Sequence, residues 1–392
     1  MKNNSPELNL LFISLYLSGD ELTASRPEYG IQSVTEAEGL ISRSDINWEL
    51  LYLYADSHSV KPQLAVLISM IRTGLVPNNF RKKIEDASRQ NLIDQLDHVS
   101  EFFRVMRRLA AEGVTVAPFK GFWLASVYYG DLALRESEDI DVFIRFTDLA
   151  KIREVMPETG YLVGAPYLKE IDKRGCEFNY GLYSGGQCIS HLEFHWRMAP
   201  EGFGLDITLD DLASQVVASE IQGQPLDAFS PCATILLTVM HHGGKDGFVK
   251  LKQVYDIAMI LRRADEVDWQ WLFAEARRYG CLSLLAVAAE LASVVCGVAV
   301  PLQLMSLAGS TRVRRLAHER ARCFATPPWE RRRFGNQARD WLFRIRSRDG
   351  FSVKAGLIWR FVRKGLIPWL IPKRLHPLFI RKYVIPEYAQ GI

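Results

Sequence analysis

None of the six cysteines stands in a Cys-x-x-Cys pair. Cys176, Cys188, Cys232, Cys281, Cys296 and Cys323 are scattered, and the pattern reads as free, largely buried thiols in a reducing, cytoplasmic setting. A long uninterrupted apolar run is also missing. The longest, Cys281 to Val300, is broken by Glu290 and followed by Pro301, so it reads as a buried helix. Stable membrane insertion is therefore not expected. The first residues lack a basic start and a cleavage site, so no signal peptide is expected. Low-complexity tracts and internal repeats are absent, and no nucleic-acid-binding signature is present. Acid is scarce at one end. Residues 311–392 carry 20 Lys/Arg against 5 Asp/Glu, a net of +15, which leaves the first 310 residues at −12 within an overall +3. That asymmetry suits an acidic partner for the C-terminal part, and the acidic remainder of the chain is one candidate.

What is present is ample material for a core: 392 residues, 48% hydrophobic and 11% aromatic, enough for two or three domains. Apolar spacing predicts helices through residues 1–110. One segment starts at Leu50 and Leu51 and continues with Leu64, Leu67, Ile68 and Ile71. A longer amphipathic helix runs from Asn91 to Leu109, with Leu92, Leu96, Val99, Phe102, Phe103 and Met106 on its apolar side and Gly113 as its stop. Between 111 and 205 the pattern becomes strand, helix, strand, helix, hairpin. The elements are Val114–Phe119, Phe122–Tyr129, Asp139–Ile144, a helix from Thr147 as N-cap to Met156, then Cys176–Tyr183 and Ile189–Trp196. From Ile207 the chain reads as helix again: a bundle to residue 310, then a basic, aromatic helical extension over 311–392. In its tail, Ile358, Phe361 and Val362 share a helix face. The expected fold class is α+β: a small mixed sheet flanked by N-terminal helices and a C-terminal helical domain.

Asp139 and Asp141 are two apart at the start of a strand, which aims both carboxylates at one face. Parallel carboxylates repel and are relieved by hard divalent cations such as Mg²⁺ or Mn²⁺. His191, Glu193 and His195 alternate along a later strand. If the two strands are neighbours, Glu193 completes a trio of acids. Such trios hold metals about 4 Å apart and serve phosphoryl and nucleotidyl transfer. Lys120 and Arg135 supply cations for phosphate, and the Gly121 turn opens a helix whose free N–H groups suit an anion. Adjacent His241 and His242 diverge by about 100° on an α-helix, so one of them is expected to face the cleft. Lys245, after Gly243-Gly244, is a further candidate for anion binding.

These motifs carry a resemblance. Lys120-Gly121, Tyr129-Gly130-Asp131, Arg135, Asp139-Ile140-Asp141, Glu193-Phe194-His195-Trp196, His241-His242 and Tyr255-Asp256-Ile257 together resemble a poorly characterised bacterial nucleotidyltransferase-like family of the DNA polymerase β-type superfamily. The similarity spans roughly residues 45–265 and leaves out the tail beyond about 310. It implies a nucleotidyltransferase sheet, a divalent metal held by Asp139, Asp141 and Glu193, and an NTP donor. Phosphate and nucleotide contacts would come from Lys120, Gly121, Arg135, His195, His242 and Lys245. It does not fix the acceptor, which could be a small molecule or a peptide, as in natural-product tailoring. One departure stands out. The superfamily's Gly-Ser at the first strand-to-helix turn is Lys120-Gly121-Phe122 here, without the hydroxyl. That leaves room for a nucleotide-sugar donor and glycosyl transfer on the same fold. A non-catalytic nucleotide-binding or partner-regulating module is the other alternative.

Overall fold

A computed structural model of the chain describes residues 5–17, 27–163, 173–331 and 333–363. The N-terminal part is helical: Pro6–Leu17, Pro27–Arg43, Trp48–His58, Lys61–Met70 and Asn78–Ala111. Asn47 starts the third of these, its side chain accepting from Leu50 N, and Pro62 lies in the first turn of the fourth. The last is 34 residues long and begins well before the expected Asn91. Phe80 and Ile84 extend its buried stripe backwards to Pro77. The stripe is also rotated from the expected one. Leu96 is 43% exposed, while the polar Asn91, Gln95 and His98 are buried.

Five strands form the central sheet in the order β1-β2-β5-β4-β3: β1 Ala117–Pro118, β2 Ile140–Phe143, β3 Leu162–Val163, β4 Glu177–Ser184 and β5 Gln187–His195. β2 and β5 run parallel, and every other pairing is antiparallel. The β4–β5 hairpin closes on Gly185-Gly186, both at positive φ, the geometry of the two-residue turns that match strand twist. β2 is buried along its whole length, as a strand between two neighbours should be. Two local expectations shift. The first strand shrinks to two residues, with Pro118 on the sheet's edge. The helix after β2 spans Leu149–Val155, behind a 3-10 turn at Phe146–Asp148, so Thr147 is not its N-cap.

Beyond residue 207 the chain is not purely helical. β6 Val216–Ile221 and β7 Gln224–Phe229 make a second hairpin, set beside β1 with Phe229 edge-on to Phe143. Its turn is Gln222-Gly223, both at positive φ. The bundle then follows: Pro231–Thr238, continuing as a π-helix over Val239–Lys245, then Leu251–Leu261, Trp269–Arg278 and Leu282–Cys296. The apolar run at 281–300 is thus a core helix. No helix among the described residues is long and apolar enough to cross a membrane.

The extension supplies Thr311–Cys323, Phe334–Ser347 and Phe351–Phe361, separated at Pro327-Pro328 and Gly350. It docks mainly through arginines on backbone carbonyls rather than on carboxylates. Arg348 is fully buried and donates to Phe203 O, Gly204 O, Tyr279 O and Gly280 O. Arg320 donates to Phe248 O, Arg344 to Asp246 O and Arg331 to Ser57 O. The last described helix packs through Leu357, whereas Ile358 and Trp359 face solvent, Trp359 at 64% exposure. The proline-rich tail from 364 lies outside the described residues. Buried side chains form one continuous cluster from Leu8 to Leu357. Of the thiols, Cys188 is exposed and Cys323 half-buried; the other four are buried.

Candidate active site

Strand register builds the centre of the site. The parallel pairing of β2 with β5 sets Asp141 opposite Glu193, and the β4–β5 pairing adds Asn179 to the same row and Glu177 opposite His195. Asp139 lies one residue outside β2, so strand alternation does not orient it. A polar turn does: Ser137 Oγ donates to Asp139 O at 2.9 Å and sits 3.3 Å from its Oδ1. Asp141 is fully buried and Glu193 nearly so, while the Asp139 side chain keeps 28% of its surface in solvent.

Two cations knit the acids together. Lys120 Nζ is 2.7 Å from Asp141 Oδ1 and 3.7 Å from Asp139 Oδ2. His195 Nε2 is 3.0 Å from Asp141 Oδ1 and 3.3 Å from Glu193 Oε2, and its Nδ1 is 3.4 Å from Glu177 Oε2. Lys245 Nζ reaches Glu177 Oε2 at 2.8 Å. Four carboxylates thus face three cationic side chains, with Asp141 and His195 fully enclosed and Asp139, Glu177 and Lys245 at the half-buried rim. Burial opposes the charge on His195, but hydrogen bonds to Asp141 and Glu193 and the nearby Glu177 outweigh it and push its pKa up to about 9. Burial likewise opposes ionised Glu177, yet Lys245 and His195 bring it down to about 2. Lys120 is desolvated, and Asp141, Asp139 and Glu193 more than compensate, raising its pKa.

One atom is left over. Asp141 Oδ2 is buried with no hydrogen-bond partner, which a buried carboxylate oxygen rarely tolerates. Asp141, Glu193 and His195 place ligand-type atoms within 4.8 Å of one another. Two carboxylates, one with an orphaned oxygen, beside an imidazole make a donor set that fits a divalent cation; Asp139 lies outside this group. Gly121 stands beside this centre at φ +64°. A Cβ there would come 3.2 Å from Ser137 Oγ and 3.4 Å from Asp139 O, so the turn needs glycine for both its angle and its space.

Arg135 and His242, expected at phosphate, both engage Asp256. Arg135 is buried and grips Asp256 two-pronged, Nε to Oδ1 at 2.8 Å and Nη2 to Oδ2 at 2.9 Å. His242 Nε2 bonds Asp256 Oδ2 at 2.8 Å, and Tyr129 OH donates to Oδ1 at 2.5 Å. This network locks the loop before β2 to helix Leu251–Leu261. Its members converge on one buried carboxylate, while Arg135 Nη1 is buried without a partner. His195 is likewise enclosed, behind the acids rather than on an open surface. Lys245 is spent on Glu177. The adjacent histidines do not diverge as an α-helix would force: in the π-helical stretch their Nδ1 atoms are 3.3 Å apart. Lys252, one turn before Asp256 on the same helix, donates to Glu136 O at 3.0 Å.

Sequence reasoning passed over Ser137, Glu177 and Asn179. Ser137 was open to discovery as a hydroxyl two residues before an acid, a local turn pattern. Glu177 and Asn179 required the hairpin register to be worked through to its far strand.

A model of a family described as an uncharacterised nucleotidyltransferase matches residues 44–297. No curated protein and no solved structure matches the chain.

Proposed function

The chain belongs to this family of uncharacterised nucleotidyltransferases, and from that premise we propose that it moves a nucleoside monophosphate from an NTP to a hydroxyl of a small-molecule or peptide acceptor. Asp139, Asp141 and Glu193 would hold Mg²⁺ or Mn²⁺. The observation that supports this most is the orphaned, buried Asp141 Oδ2 in register with Glu193. When bound, the cation would balance charge between these acids and the triphosphate and acidify the acceptor hydroxyl. Lys120 sits between Asp139 and Asp141 and is the cation best placed to turn towards an arriving phosphate. The Gly121 turn lets a polyphosphate approach backbone closely beside Ser137. A bond forms from the acceptor oxygen to the α-phosphorus as the bond to pyrophosphate breaks. The residues contribute chiefly position and charge.

Transfer of a sugar from a nucleotide-sugar is the second reading, favoured by the missing hydroxyl at Lys120-Gly121-Phe122. The same diphosphate and cation would be held, with attack at the sugar carbon. Mass spectrometry separates the two. The full chain is incubated with NTPs or nucleotide-sugars, Mg²⁺ or Mn²⁺, and a panel of hydroxyl acceptors. The expected product is an acceptor heavier by a nucleoside monophosphate. Asp139→Asn, at a partly exposed position, should abolish it with an unchanged melting temperature. A hexose adduct selects the second reading. Full activity of Asp139→Asn removes the role assigned to that residue.

A further inference from the structure

The segment that delivers Asp139 to the site is held by side chains from other elements. Every backbone carbonyl from 133 to 137 is taken. Ala133 O accepts from Asn91 Nδ2 at 2.8 Å, Leu134 O from Gln63 Nε2 at 2.5 Å, and Arg135 O from Asn91 Nδ2 at 3.4 Å. Glu136 O accepts from Lys252 Nζ at 3.0 Å and Ser137 O from Gln95 Nε2 at 3.1 Å. The donors stand on three helices: Lys61–Met70, Asn78–Ala111 and Leu251–Leu261.

Buried amides are costly to place where an apolar side chain would fill the same space. Here Gln63, Asn91 and Gln95 are all buried, and each meets a carbonyl that no strand partner serves. Asn91 and Gln95 stand one turn apart on one face of the long helix, and His98 follows on that face. His98 Nδ1 and Gln95 Oε1 are buried without partners. Burial lowers the His98 pKa, and the Asp139 carboxylate, foremost among nearby acids, pulls it back up. This polar face therefore runs up to the residue that strand pairing leaves loose.

We propose that Gln95, with Asn91 and Gln63 behind it, is a positioning residue: it fixes where Ser137, and through Ser137 Asp139, stands before any cation arrives. The inference rests on the cation reading above and extends the site to the helix Asn78–Ala111. Preorganised first ligands need such outer support, and its loss weakens metal affinity by about 10- to 100-fold.

The test uses the full chain and Mn²⁺ as probe, with calorimetric binding and steady-state kinetics. Gln95→Leu removes the donor at similar volume. The expected result is Mn²⁺ binding weakened about tenfold or more and a lower kcat, with KM for the NTP within about twofold. A purely structural glutamine would lower the melting temperature and leave Mn²⁺ affinity intact, and that result overturns the proposal. Hydrogen exchange on the unaltered protein needs no variant to fold. The Ala133 and Leu134 amides, which bond Asp131, should exchange slowly before Mn²⁺ is added and change little after. A large gain in protection on adding Mn²⁺ would show that the ion itself orders the segment, and would overturn the inference. Absence of Mn²⁺ binding by the unaltered protein would sink the cation reading and this inference together. Normal binding by both proteins would sink this inference alone.

Discussion

At the scale of single residues the site is an unusual balance: four acids held by an imidazolium and two ammonium groups. The pKa of His195 is raised to about 9 by the acids around it, so the imidazole carries its charge at neutral pH. A raised base contributes stability that is complete below its unfolded value of about 6.5 and fades as pH rises through the folded one. In cation-free protein the melting temperature should therefore fall between about pH 6.5 and 9. Glu177 works in the opposite sense. Its depressed pKa contributes stability above about 4.3 that is lost as pH falls towards about 2. A divalent ion at Asp141 and Glu193 competes with the His195 proton. Mn²⁺ binding should then release up to one proton and tighten by as much as about tenfold per pH unit between about 7 and 9. Calorimetry in two buffers of different ionisation enthalpy reads that proton directly, and equal heats in both would refute the linkage. Asp139, Asp141 and Glu193 stood out by type and spacing, and Lys245 as a cation. The charge balance did not, because Glu177 enters only through the hairpin register that sets it opposite His195.

At the scale of elements, long periodic segments declared themselves and short ones did not. The β4–β5 hairpin was readable from its Ser-Gly-Gly-Gln turn and alternation. The β6–β7 hairpin obeys the same rule, but Gln222-Gly223 is a weaker turn pair and Pro225 argues against a strand. Helix Asn78–Ala111 was recognised yet rotated, because hydropathy assigns leucine inward and glutamine outward. Carbonyls left unpaired at 133–137 reverse that preference, and nothing local to 91–98 encodes them. The same blindness hid the partner of Arg135, since a sequence cannot show that Asp256 waits 121 residues away. That bracket joins the loop before β2 to helix Leu251–Leu261. Arg135→Met should cost about 3–5 kcal/mol by leaving Asp256 buried and under-paired. Arg135→Lys should rescue little, because a point ammonium cannot make the two-pronged bond. Denaturant titration checks both, with Asp139→Asn as the control expected to stay near the parent. A stable Arg135→Met that loses only NTP affinity would return the residue to phosphate binding.

For the whole molecule the issue is what holds a strongly basic extension against an acidic body. Net charge suggests attraction, and attraction of that kind is salt-sensitive: the screening length is about 10 Å at 0.1 M ionic strength and about 3 Å at 1 M. The structure offers a different attachment. Arg348 alone holds four carbonyls from residues 203–204 and 279–280, and Arg320, Arg331 and Arg344 hold three more elsewhere. Ion pairs such as Arg320–Asp340 and Arg346–Glu319 lie within the extension itself; among the described residues, Arg314–Glu290 reaches the body at 3.9 Å. Buried, short-range bonds to carbonyls are screened little by salt. Limited proteolysis across 311–361 should therefore be nearly unchanged between 0.1 and 1 M NaCl, whereas Arg348→Met should open the segment to cleavage at either concentration. Release by salt alone would mean that the charge imbalance, not the carbonyl clamp, keeps the extension in place. The clamp also bears on the site, because Arg344 and Arg320 hold Asp246 and Phe248, the residues just past Lys245. Loosening them should relax the Lys245–Glu177 pair, which leaves Glu177 more fully to His195 and raises the imidazole's pKa further. Arg344→Met is thus expected to move the alkaline limb of the stability profile to higher pH without touching any of the acids.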